Sequence, residues 1–186
     1  MNGEKVVNHI VNWLRDYAES AKVKGFVIGV SGGIDSAVTS TLCSKTGFPV
    51  LCVEMPIHQG THQVERSAEH IAHLKRHYPN VKSVEVDLTN TFEKFKTAGP
   101  ETGDQATIAL SLANTRARLR MTTLYYLAGL NGFLVAGTGN KVEDFGVGFF
   151  TKYGDGGVDV SPIADLLKSE VYELARVLNV PTSIQR

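Results

Sequence analysis

The segment FVIGVSGGIDS, residues 26–36, determines the fold class that the sequence predicts. Its first five residues are mostly apolar and rich in β-branched side chains, which is typical of a strand buried on both faces. The two adjacent glycines predict a tight turn, and a helical pattern begins at Ile34. A buried strand, a glycine turn and a helix in this order indicate a parallel α/β sheet.

The rest of the chain continues this alternation of strands and helices. Further strands are predicted at residues 49–53, 81–88 and 133–136. Helices are predicted at residues 4–20, 34–44, 63–77, 89–97, 106–130 and 163–178. We therefore expect a single domain over residues 1–186, with an α/β, doubly wound (Rossmann-like) parallel sheet and helices on both faces.

Three loops are candidates for the functional site. Ligands of doubly wound sheets bind beyond the carboxyl ends of the strands, so residues 31–36, residues 56–60 and the loop that starts at Gly137 should meet. The last of these, residues 137–162, holds seven glycines. A long irregular segment of this kind inside a compact domain is usually functional. Residues 97–105 form a further predicted loop without a recognisable motif.

The glycine turn after the first strand has the chemistry of a pyrophosphate cradle. Its glycines allow close approach of backbone N–H groups to a ligand, and the following helix directs its positive dipole end at the same place. The hydroxyls of Ser31 and Ser36 add donors. Asp35 would repel phosphate, and it makes sense as a Mg²⁺ ligand. The plain alternative is a turn in which Asp35 only favours the first turn of a helix.

The pattern Ser-Gly-Gly-x-Asp-Ser resembles the loop of the N-type ATP pyrophosphatases, which split ATP between its α and β phosphates. The resemblance implies that ATP is bound by Gly29, Val30, Ser31, Gly32, Gly33, Ile34, Asp35 and Ser36. It also implies Mg²⁺ as cofactor. The loop by itself does not choose among the members of this group, which include GMP synthetase and NAD synthetase.

Three other segments resemble the NAD synthetase family specifically: NTRARLRM at 114–121, GTGNKVED at 137–144 and GFFTKYGDGG at 148–157. The resemblance covers essentially the whole chain. It implies a ligase that uses ATP to amidate deamido-NAD with ammonia through an acyl-adenylate, giving NAD, AMP and pyrophosphate. It also implies a homodimer. Chains of this family continue beyond the position of Arg186 with a tail that this sequence lacks.

The resemblance assigns roles to individual residues. Asp35, Glu143 and Lys168 are implied to be catalytic, with Asp35 and Glu143 as the Mg²⁺ ligands. The neighbouring Asp144 remains an alternative second ligand. Thr138 and Lys168 are implied ATP contacts. The residues implied to hold deamido-NAD are Arg118, Lys152 and Asp159.

Two clusters of basic side chains favour a structural interpretation over a functional one. Arg116 and Arg120 flank Arg118 on a predicted helix, and we expect them on a solvated face or in an interface salt bridge. His70, His73 and His77 recur at helical spacing. Without a fourth ligand or a His-Glu-x-x-His pattern, a solvated helical face is favoured over a zinc site.

Composition excludes several classes of partner. The formal net charge is zero, from 19 basic and 19 acidic residues, so a nucleic-acid groove or a membrane-binding patch is not expected. Cys43 and Cys52 lie in apolar segments, which predicts reduced core thiols and a cytoplasmic protein.

No cysteine has a glutaminase-like setting, so free ammonia or another chain should supply nitrogen. The alternative functions are another, GMP synthetase-like pyrophosphatase and a non-catalytic nucleotide-binding module.

Overall fold

The computed structural model describes residues 2–100 and 102–185. The strands are β1 (Phe26–Gly29), β2 (Val50–Glu54), β3 (Val81–Glu85) and β4 (Leu134–Val135). The helices are α1 (Gly3–Ser20), α2 (Ile34–Lys45), α3 (Thr61–His77), α4 (Thr89–Ala98), α5 (Gln105–Asn131) and α6 (Lys168–Val177). A π-helical turn at Lys141–Gly146 lies within the predicted glycine-rich loop.

The strands form one parallel sheet in the order β3-β2-β1-β4. Successive residues of β1 face opposite sides: Phe26 and Ile28 belong to the core cluster that includes α1, α2, α3 and α6, whereas Val27 belongs to the cluster that includes α4 and α5. All three side chains are fully buried. The prediction of a doubly wound sheet with helices on both faces is confirmed, and the strand order reverses between β1 and β4.

The sequence places the helix ends by capping chemistry. The Asn2 side chain accepts a hydrogen bond from the Lys5 N–H at 3.1 Å and starts α1, and Asp104 accepts one from Thr107 at 3.0 Å and starts α5. At the other end of α5, Gly132 has a φ of +68°, the left-handed conformation that commonly ends a helix. These caps set the bounds of the long helix α5, which packs against β1 and β4.

Two predicted elements differ from the structure by three or more residues at one end. The predicted strand at 81–88 ends at Glu85, and the predicted helix at 163–178 begins only at Lys168. The Leu166 carbonyl accepts from the Lys141 N–H at 3.0 Å, and the Glu170 side chain accepts from the Leu167 N–H at 2.8 Å. These contacts hold the chain before Lys168 in turns, so Lys168 lies in the first turn of α6.

Other observations concern the setting of the chain. Cys43 and Cys52 are buried and unpaired, as the sequence predicts. Among the helices of the described residues, none combines the length and apolar character needed to span a bilayer.

Candidate active site

A cavity of about 630 Å³ opens at the carboxyl ends of β1, β2 and β4. Its lining includes Ser31 from the first loop, Gln59 from the second, and Gly137 and Thr138 from the third. The predicted meeting of the three loops is therefore confirmed. The volume is in the range of small-molecule sites, which are commonly found at such switch points.

Helix α5 and the glycine-rich loop form the more apolar walls of this cavity. The Thr151 hydroxyl donates to the Asn114 side-chain oxygen at 2.8 Å and joins the loop to the helix. These walls contain Leu110, Ala113, Asn114, Ala117, Met121, Leu124, Phe149, Phe150, Thr151, Asp155 and Val158. Asn114 and Thr151 lie in family-like segments, but no local pattern singles them out.

The phosphate-loop candidate is ordered by its own serines. The Ser36 hydroxyl donates to the Gly33 carbonyl at 3.0 Å and accepts from the Ser31 N–H at 3.2 Å. The Gly33 N–H in turn donates to the Ser31 hydroxyl at 3.3 Å. Gly33 occupies the N-cap of α2, so the first turn of that helix faces the loop without a capping side chain. Such a turn is suited to bind an anion.

Asp35, Asn140, Glu143 and Lys168 form a closed hydrogen-bonded ring beside this loop. The Lys168 ammonium donates to Asp35 Oδ2 at 2.5 Å and to Glu143 Oε1 at 3.0 Å. The Asn140 amide nitrogen donates to Asp35 Oδ1 at 3.1 Å, and its oxygen accepts from the Glu143 N–H at 3.1 Å. The structure thus brings together the three residues that the family resemblance implies to be catalytic, and adds Asn140.

The charges around the ring affect the pKa values of Lys168 and Asp144. Partial burial acts to lower the pKa of Lys168, but the hydrogen bonds and charges of Asp35 and Glu143 outweigh burial, and the pKa is raised. Lys168 is therefore a cation at neutral pH. For Asp144, burial foremost, and then the charges of Asp155, Glu143 and Asp35, raises the carboxyl pKa. The local potential is negative and favours a cation.

The residues present fit a Mg²⁺ ion that is shared with phosphate. Asp35 and Glu143 both contact the same lysine nitrogen, so their carboxylates lie within reach of one cation. Within residues 2–100 and 102–185, no group of three or more His, Cys, Asp or Glu side chains forms a metal cage. Mg²⁺ typically uses one or two carboxylates and takes its other ligands from phosphate and water. Lys168 contacts Glu143 rather than Asp144, which favours Glu143 as the second ligand.

The residues predicted to hold deamido-NAD lie outside the lining of the cavity. Arg118 is exposed and donates from Nε to the Lys152 carbonyl at 3.0 Å, so these two are neighbours. Asp159 lies next to β4. It accepts from the Val135 N–H at 2.8 Å and from the Tyr125 hydroxyl at 2.9 Å. Burial and then this contact raise the pKa of Tyr125 to about 12.

The expectation for the two arginines that flank Arg118 is wrong. Arg120 is half-buried, lines the cavity and donates from Nε to the Met55 carbonyl at 3.0 Å. Its pKa is lowered by burial and by Arg116. Arg116 lies over the Phe92 ring at 5.2 Å. Both side chains point inward because residues four apart share a helix face. Arg120 is thus a cavity residue that the sequence interpretation missed.

The solvated-face interpretation also fails for His70. Its ring is fully buried, and Nε2 lies 2.9 Å from the Ser40 hydroxyl. Burial and the neighbouring His73 lower the pKa of His70 to about 4, so the ring is neutral. The spacing to the buried Ser67 and Leu74 on α3 was the signal that places His70 inward. His77 is exposed, as expected.

Comparisons with known proteins identify the family. A model of the NAD synthase family matches residues 6–186. The chain belongs to the NAD synthase family. An NH3-dependent NAD⁺ synthetase of Mesoplasma florum is 42% identical over 99% of this chain and 73% of its own length.

Solved structures place the same family on this fold. An NMN synthetase of Francisella tularensis has a TM-score of 0.90 at 35% identity and covers all of this chain and 74% of its own. An NH3-dependent NAD synthetase of Campylobacter jejuni has a TM-score of 0.88 at 30% identity, covering 100% and 77%. The NAD synthase family assignment, the ligase class and the α/β fold that the sequence predicts are confirmed.

Proposed function

We propose that this chain amidates deamido-NAD with ammonia at the expense of ATP, giving NAD, AMP and pyrophosphate. The observation that carries the proposal is the ring of Asp35, Asn140, Glu143 and Lys168 beside the glycine loop. It joins an anion-binding turn to a pair of carboxylates and a lysine. That combination suits a reaction at a polyphosphate that carries a divalent cation.

The proposed chemistry has two steps. The nicotinate carboxylate of deamido-NAD attacks the α-phosphorus of ATP, and pyrophosphate leaves. Ammonia then attacks the carbonyl carbon of the acyl-adenylate, and AMP leaves as the amide forms. The first step converts a poor leaving group on the carbonyl into a good one. Both steps depend mainly on positioning and on stabilisation of charge.

The residues of the ring divide this work. The loop of residues 31–36 and the first turn of α2 would bind the β and γ phosphates, where the helix dipole favours negative charge. Lys168 neutralises charge that develops at the α-phosphorus. Asp35 and Glu143 would hold Mg²⁺, which supplies further neutralisation of the phosphates when bound. The same carboxylates would repel ATP in its absence, so we expect ATP binding to require Mg²⁺.

We propose that the dinucleotide extends from the cavity onto the outer surface. Arg118, Lys152 and Asp159 lie outside the cavity lining, so they would contact the part of deamido-NAD that the cavity does not hold. Arg118 and Lys152 carry the positive charge that suits its pyrophosphate. Asp159 already accepts two hydrogen bonds, so we expect it to act partly by holding Tyr125 in place.

A homodimer is the proposed assembly. Large apolar side chains of α5 and of the glycine-rich loop are strongly exposed, which is typical of an interaction surface. They are Leu110, Tyr126, Leu130, Phe145, Phe149 and Tyr153. Sedimentation of the purified chain would show a mass twice that of the monomer, whereas a monomer at micromolar concentration would contradict the proposal.

A cytoplasmic location is also proposed. The free thiols of Cys43 and Cys52 and the need for ATP favour a reducing compartment that contains ATP. Fractionation of cells that express the tagged chain would place it with cytoplasmic markers, and recovery in a membrane or secreted fraction would contradict this.

A second candidate substrate is the mononucleotide of nicotinic acid. The structural relative from Francisella tularensis is an NMN synthetase, and it matches this fold with a TM-score of 0.90. The reacting carboxylate would be the same. The two acceptors differ in the adenylate half, so kcat/KM measured for each acceptor separates them.

The test of the proposed function is product formation from ATP, Mg²⁺ and ammonium. AMP, pyrophosphate and NAD should appear in equal amounts, and only when deamido-NAD is present. Asp35→Ala is the control and should lower turnover by orders of magnitude. If deamido-NAD and the mononucleotide both leave ATP intact while ATP binds, the proposed reaction is wrong.

A further inference from the structure

Asn140 is the one member of the ring to which the family resemblance gives no role. Its side chain is completely buried, although asparagine is usually exposed. Its oxygen accepts from the Val142 and Glu143 N–H groups, each at 3.1 Å, and its nitrogen donates to Asp35 at 3.1 Å. Three hydrogen bonds therefore compensate the burial of one amide.

A capping role for the Asn140 oxygen accounts for only two of the three hydrogen bonds. Asn140 is the N-cap of the π-helical turn Lys141–Gly146, and a cap needs an acceptor alone. The nitrogen instead reaches Asp35, which is 105 residues away in the sequence. A single side chain thus connects the first turn of α2 to the turn that carries Glu143. Single π-turns of this kind are frequent at functional sites.

The contacts of Asn140 and of Lys168 differ in how they would respond to a cation. Lys168 binds Asp35 Oδ2 and Glu143 Oε1, the carboxylate oxygens that a divalent cation would need. Asn140 binds Asp35 Oδ1 and the backbone N–H of Glu143, and it leaves those oxygens free. Its contacts are therefore compatible with a cation on those oxygens, and they would remain if a cation took the place of the lysine.

We propose that Asn140 is a positioning residue that holds Asp35 and Glu143 in register as one divalent-cation site for the ATP polyphosphate. The inference rests on the proposed function for the role of the two carboxylates. Asn140 acts through its neighbours and touches neither the substrate nor the reacting atoms. Groups that orient metal ligands in this way commonly change metal affinity or activity by about 10- to 100-fold when removed.

Asn140→Ser is the variant that tests this role. Serine is a good N-cap, so it preserves the start of the π-helical turn, but its hydroxyl is too short to reach Asp35. The matched control is Asn80→Ser. The Asn80 amide donates to the Ser44 and Phe48 carbonyls at 2.9 and 2.7 Å, away from the ring. Both variants lose partly buried hydrogen bonds, and only the first disconnects Asp35.

The first readout is binding of Mn²⁺, as a probe for Mg²⁺, to the protein with ATP, measured by electron paramagnetic resonance. The second is the Mg²⁺ concentration that gives half-maximal turnover. For Asn140→Ser we expect the dissociation constant of Mn²⁺ and the half-maximal Mg²⁺ concentration to rise about 10-fold or more, while KM for ammonia is unchanged. Asn80→Ser should leave both constants at the wild-type value, even if it lowers the melting temperature.

Unchanged metal constants in a folded Asn140→Ser protein would overturn the proposal. If the serine variant does not fold, the same measurements are made on Asn140→Thr, because threonine also caps helices. The Mn²⁺·ATP titration needs no turnover, so it tests the positioning role of Asn140 even if deamido-NAD proves not to be the substrate. Inactivity of the wild type toward deamido-NAD would instead contradict the proposed function.

Discussion

Replacing Gly32 with alanine tests how closely the glycine loop is packed. Gly32 has a φ of +78°, in the left-handed region that side chains rarely adopt. A Cβ atom there would lie 2.6 Å from the Gln63 carbonyl oxygen and 3.2 Å from the Ser67 nitrogen. Both of these atoms belong to the backbone of α3, so no side-chain rotation relieves the contact. The helix or the loop has to move.

Gly47 supplies a matched control for the backbone strain. Its φ is +84°, and nothing lies within 4 Å of a Cβ placed there. Gly47→Ala should cost only the left-handed strain, about 1 kcal/mol. Gly32→Ala adds overpacking of roughly 2 kcal/mol, for a total of about 3 kcal/mol. A chain of this length loses about 3 °C in melting temperature per kcal/mol. The expected falls are therefore about 3 °C for Gly47→Ala and about 9 °C for Gly32→Ala.

Thermal unfolding followed by circular dichroism, without ligand, measures both variants. ATP affinity, measured by calorimetry with Mg²⁺, supplies a second readout. We expect only Gly32→Ala to weaken ATP binding, because the displaced loop carries the amides proposed to bind phosphate. Equal falls in melting temperature for the two variants would refute the argument that α3 packs directly on the loop. An unchanged ATP affinity in Gly32→Ala would refute the role of its amides.

Other predictions concern the ring, its surroundings and the core. Asp35→Asn keeps the shape of the side chain and removes its charge, and we expect kcat to fall at least about 100-fold in the pyrophosphate assay; near-normal turnover would contradict the metal role. Asp144→Asn should raise the melting temperature at pH 7, because the folded state raises the pKa of this carboxyl and its charged form therefore opposes folding. This advantage should disappear below about pH 4, where Asp144 is protonated in both states, and an advantage independent of pH would contradict the electrostatic cause. Leu14→Ala empties a fully buried position of α1 and should lower the free energy of unfolding by about 2–5 kcal/mol, as urea denaturation would measure, with ATP affinity unchanged.

The sequence by itself determined the order of strands and helices and the position of the glycine loop. These features depend on short-range chemistry: β-branched apolar runs, helical periodicity, caps such as Asp104 and the backbone freedom of glycine. The pairing of the first loop with the one at Gly137 also followed, because the carboxyl ends of parallel strands share one edge of a sheet. Family resemblance added Lys168 and Glu143, to which local patterns gave no specific role.

Only the tertiary structure decided which side chains meet. Lys168 and Asp35 are 133 residues apart, and their contact depends on where α6 begins, which the helical pattern placed five residues too early. Likewise, periodicity places His70 and Arg120 on helix faces, but whether such a face is solvated depends on the neighbouring element. Asn140 shows the same limit. Its role comes from a register between segments distant in sequence, which packing sets and no local pattern encodes.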